Sequence, residues 1–82
     1  MNLLFNRLAE LAYDRADDLA RPRINGRDYL APADRESAEA AAREFETAAA
    51  FWRGICPRSV RNCLYEARCM REGATLAELG LI

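Results

Sequence analysis

Between residues 38 and 52 the small apolar residues Ala38, Ala41, Ala42, Ala48 and Ala49 fall with Phe45 and Trp52 at three- and four-residue spacing. That spacing gathers them on one side of an α-helix and scatters them over both faces of a strand. Alanine loses no side-chain entropy on entering a helix, and a stripe of methyl groups lets a neighbouring helix approach closely. A chain built around such a stripe folds by laying other helices along it. Its 82 residues suffice for one domain burying about 60–65% of its unfolded surface. With 51% hydrophobic residues and only 4 glycines and 3 prolines, the composition favours an ordered all-α fold over a disordered chain.

The remaining segments fit this expectation. Leu4, Leu8, Leu11, Ala12 and Leu19 recur at helical spacing, with Arg7, Glu10, Asp14, Asp17, Asp18 and Arg21 on the other side, which predicts a first helix over residues 3–20 ended by Pro22. Residues 21–31 read as a loop, with a tight turn at Asn25-Gly26 and Ile24 and Tyr29 tucked inward. Pro32 opens a second helix over residues 32–53, whose wet side carries the i,i+4 pairs Arg35–Glu39 and Glu39–Arg43. Gly54 caps it, and Pro57 opens a third helix expected over 57–72, with Val60, Cys63, Leu64, Ala67 and Met70 inward and Gly73 as its end. Thr75 and Glu78 then form a capping box for a short helical turn at 75–79. The predicted architecture is a small single-domain bundle of three main helices plus that turn, packed around Leu8, Leu11, Phe45 and Trp52.

Cys56, Cys63 and Cys69 are odd in number, without C-x-x-C spacing, and the chain has no histidine. This argues against a zinc site, and no other metal or cofactor is indicated. The opening Met1–Phe5 run is interrupted by Arg7 and Glu10, too early for a signal peptide or a membrane span, so a cytoplasmic protein with reduced thiols is expected. Catalysis finds little support: there is no histidine, lysine or glycine-rich phosphate loop, and the carboxylates occupy wet helix faces. The cysteines, lacking a base, read as small core residues.

The net charge is −1, yet it is unevenly spread: residues 34–50 sum to −3 and residues 51–71 to +4. Arg58, Arg61, Tyr65 and Arg68, with Asn62 beside them, form a basic stripe on one face of the third helix, suited to phosphates or to a partner's carboxylates, or else simply solvated. Glu10, Asp14, Asp17 and Asp18 make an opposing acidic stripe on the first helix, a second candidate contact or a solubilising surface. Phe51 and Trp52 are adjacent and cannot share one stripe. Phe51 therefore either extends an apolar patch to the surface as an interface aromatic or packs under the 21–33 segment or the C-terminal tail.

Residues 46–65 resemble the helix-turn-helix of phage repressors and related bacterial regulators. Ala50, Gly54, Ile55 and Val60 occupy the relative positions of the alanine, glycine and apolar residues of that motif, over about a quarter of the chain. The resemblance implies a dimeric transcriptional regulator binding duplex DNA through Pro57, Arg58, Ser59, Arg61 and Asn62, with Arg pairing with guanine and Asn with adenine. Arg53, where that family buries an aliphatic residue, and the unbroken pattern of the second helix depart from it. A glycine cap followed by a proline start also joins ordinary packed helices. In size, composition and want of a catalytic set the chain also resembles the small helical anti-CRISPR inhibitors of phages and mobile elements. That resemblance implies a protein partner, a CRISPR effector or similar nucleic-acid-processing complex, blocked by one of the charged faces.

Overall fold

The computed structural model describes residues 3–20 and 35–81. The expected loop with its Asn25-Gly26 turn, and the Pro32 start of the second helix, lie outside them. Three helices make up the described fold: α1 (Leu3–Ala20), α2 (Arg35–Trp52) and α3 (Pro57–Glu78). Among the described residues there is no strand, so the chain is an all-α domain. The middle helix α2 packs against both others, and α1 and α3 barely approach each other.

The alanine stripe organises the core. Ala38, Ala41, Ala42, Ala48 and Ala49 of α2 are buried against Ala12 and Ala16 of α1 and against Cys63, Ala67, Met70 and Ala74 of α3. Among the described residues Phe45 and Cys63 are the largest side chains fully enclosed, and burying one phenylalanine contributes roughly 2–3 kcal/mol. Both neighbours run antiparallel to α2. On the α1 side Tyr13 meets Phe45 edge-on, ring centroids 5.4 Å apart, and Trp52 Nε1–H donates to Asn6 Oδ1 at 2.8 Å. Arg15 reaches Glu44 at 3.3 Å.

The inward face of α1 differs from expectation. Ala9, Ala12 and Ala16 are buried, whereas Leu4, Leu11 and Leu19 are exposed and Leu8 is half-buried. The leucines fix a strong apolar period, but close approach to the alanine face of α2 selects the small residues one flank away. Leu64 of α3 is likewise exposed, having been expected inside.

The third helix does not stop at Gly73. It runs on to Glu78, and the separate turn expected at 75–79 is its last turn. A glycine inside a helix costs about 1 kcal/mol relative to alanine, and tertiary contacts offset that cost. Ala74 is buried on the core, and Arg35 of α2 holds both Thr75, at 2.9 Å, and Glu78, at 2.8 Å. Thr75 therefore caps nothing, and its hydroxyl donates to the Arg71 carbonyl at 3.1 Å. The terminating glycine is Gly80, at φ +77°, where Leu81 N–H closes back on the Leu76 carbonyl at 2.9 Å, satisfying a carbonyl the helix leaves open.

The candidate docking surface

At the other end of α3 the chain turns in the short corner Arg53–Cys56. Gly54 sits at φ +83°, a left-handed conformation that L side chains rarely adopt, and Ile55 and Cys56 both donate to the Trp52 carbonyl, at 2.9 and 3.0 Å. Cys56 is the N-cap and Pro57 the first helical residue, as the Gly54–Pro57 spacing predicts. From there α3 presents Arg58, Arg61, Asn62, Tyr65 and Arg68 to solvent, all exposed. The stripe expected from the sequence is therefore one continuous face. Arg68 lies over the Tyr65 ring, 5.6 Å from its centroid, and the neighbouring Cys69 thiol holds the Tyr65 phenol above its ordinary pKa.

Among the described residues no carboxylate comes within ion-pair distance of Arg58, Arg61 or Arg68. Arg71, one turn further along, is engaged by two carboxylates. Its guanidinium forks onto Glu46 at 2.7 and 3.1 Å and donates to Glu39 at 2.9 Å, and these bonds lower the pKa of both carboxyls. Glu39, expected to pair with Arg43, pairs instead with Arg71 and with Arg35. Neither Arg71 nor Glu46 stands out in the sequence, because no local spacing connects them.

The other candidates are dispersed. Glu10, Asp14 and Asp18 of α1 are exposed and Asp17 is half-buried; Glu10 makes a loose contact with Arg7 at 3.6 Å. Phe51 is half-buried against Phe5 of α1, ring centroids 5.9 Å apart, so it belongs to an apolar patch where α1 begins. Burial pushes the Cys63 thiol up to about 11. Cys56 moves the other way: its thiol accepts from Ser59 Oγ at 3.2 Å, and that bond, with the backbone N–H groups of the first turn and Arg58, lowers its pKa. A shallow depression is lined by Arg71, Glu72, Thr75 and Leu76, but Arg71 and Thr75 are already bonded within the fold, so no free polar set converges there. Among the described residues no three of His, Cys, Asp and Glu gather as a metal-holding group, and no helix is long and apolar enough to cross a membrane.

The helix-turn-helix geometry is not reproduced. Helix α2 is unbroken near Glu46, Arg53 and Ala50 are exposed, and α3 lies antiparallel along α2 to the Arg35–Glu78 contact at its far end. That is a helical hairpin, whereas the DNA-reading motif sets two shorter helices at about 90–120°. Comparison with models of protein families, with curated proteins and with solved structures finds no match to this chain.

Proposed function

We propose that this chain is a non-catalytic binding protein of the cytoplasm, which docks by the outer face of α3 on an acidic surface of a larger nucleic-acid-processing complex and obstructs it. The observation that carries this reading is the row Arg58, Arg61 and Arg68 with Tyr65, held on one helix face and without a carboxylate in ion-pair distance among the described residues. Guanidinium groups not engaged by carboxylates keep their fork of donors for a bidentate partner, and a Tyr–Arg combination is the residue chemistry of interface hot spots. Small anti-CRISPR inhibitors, which the chain resembles in size and composition, are the model for the obstruction, and a CRISPR effector is the leading partner. Duplex DNA, the ligand of the transcriptional-regulator alternative, is the competing ligand for the same face, favoured by the exposure of Arg58, Arg61 and Asn62 in the first turns of α3. The unbroken α2 counts against it.

The test is a titration of the chain, and of an Arg58→Ala/Arg61→Ala/Arg68→Ala variant, into purified RNA-guided effector complexes of its host and into random duplex DNA at two salt concentrations. Inhibition of target cleavage by the chain, lost in the variant, supports the reading. Tight, steeply salt-dependent binding to bare DNA replaces it with the DNA-binding alternative.

A further inference from the structure

The leucines that α1 leaves outside its own core form a second surface, on the flank of α1 that meets Glu44 and away from α3. Leu4, Leu8 and Leu11, followed by Arg15, repeat at the four–three–four spacing of a coiled-coil seam. Leu4 is 64% exposed, Leu11 37% and, beyond Arg15, Leu19 38%. Arg15 fits the seam, since its guanidinium turns aside to Glu44 and leaves its methylene stem along the stripe. Beside the seam, one heptad apart, stand Arg7 and Asp14. Among the described residues Arg7 makes only a loose contact with Glu10, and Asp14 is exposed without a partner.

We infer that this seam is closed by a second copy of the chain, with the two α1 helices antiparallel. A two-fold axis midway between Leu8 and Leu11 sets Leu8 of each copy against Leu11 of the other, and lays Leu4 over the stem of Arg15 of the second copy. The charges select this arrangement. In an antiparallel pair, flanking positions of one kind face each other across the axis, so Arg7 of each copy meets Asp14 of the second, and symmetry makes the ion pair twice. A parallel pair would instead set Arg7 and Asp14 against the positions of Ala12 and Leu19, with no charge complement. Helix α3 lies towards the other flank of α1, where Tyr13 feels Glu66 and Cys63, and its basic face is exposed there, so that face remains open in the dimer. The dimer carries two docking faces, and its existence does not depend on what they bind.

One helix pair buries less than the roughly 1,200 Å² of a standard interface, so the association is expected to be micromolar and to vary with concentration. Sedimentation equilibrium over a concentration series reads it directly. The full chain should show a monomer–dimer equilibrium, and Arg7→Glu or Asp14→Arg alone should weaken it by about tenfold or more, since each sets like charges together twice. The double variant Arg7→Glu/Asp14→Arg should recover the dimer. Both positions are exposed, and circular dichroism confirms that the variants fold. A monomer at every concentration overturns the proposal, as does a dimer indifferent to the single changes, or one that the double change does not restore.

Discussion

Arg71 and Arg68 stand one turn apart on α3 and differ completely in use. Arg71 points at α2 and is consumed there by Glu46 and Glu39, with Arg35 and Glu78 continuing the same polar row towards the end of the hairpin. Arg68 points outward with Arg61 and Arg58 and, among the described residues, lies over the Tyr65 ring with no carboxylate in reach. Residue type and local spacing are the same, and the angle around the helix decides whether a guanidinium joins two helices or stays available to a partner. A contact within the molecule shows as a change in stability, and an outward group shows only when a partner is present.

The widest separation comes from the outward row. Replacing Arg58, Arg61 and Arg68 by Ala should reduce partner affinity by about a hundredfold and shift folding stability by less than about 0.5 kcal/mol, read by titration and by urea denaturation of the same sample. A variant that bound normally would remove the docking face; one that unfolded would show the row to be structural. Thiol chemistry sharpens the contrast between the exposed start of α3 and its enclosed middle. Cys56, with a lowered pKa and partial exposure, should react with iodoacetamide at least about tenfold faster than Cys63, which burial pushes up to about 11. Peptide mapping of the labelled sites gives the ratio, and equal rates would mean that the middle of α3 opens readily.

Smaller effects belong to the inward row. Arg71→Ala should lower stability by about 1 kcal/mol, a modest amount because the pairs are partly solvated, and should leave partner binding unchanged. The acid limb follows from the same contacts. Glu46, Glu39 and Glu78 have pKa values lowered from 4.5 in the fold. The stability they contribute is therefore fully present above that value and is lost as the pH falls below it through their folded values. Denaturation midpoints measured down the acid range should fall for the wild-type chain and fall less steeply for Arg71→Ala; parallel curves would break the assignment.

The sequence makes the corner and the docking face legible, because both are local. Gly54 and Pro57 are read from backbone chemistry, and the Arg58–Arg68 face follows from helical spacing alone. What it does not disclose depends on packing. Two apolar periods overlap on α1, and nothing in the spacing says that Ala9 and Ala16 go inward while Leu4 and Leu11 stay out; the small surface of α2 makes that choice. Gly73 reads as a helix end because local propensity cannot know that Ala74 is buried and that Arg35 holds the next turn. The Arg71–Glu46 fork joins residues on different helices, and no local pattern announces it.

The alanine seam leaves this protein with an unusual mutational profile. Most cores are damaged by trimming, because removing methylenes leaves a cavity. Here Ala38, Ala41, Ala42, Ala48 and Ala49 have almost nothing to remove, and the harm comes from growth: a valine or leucine at any of them must push a neighbouring helix away from α2. Drift at these positions is thus confined to alanine, glycine and serine, while the helix exteriors remain free to change with each new partner.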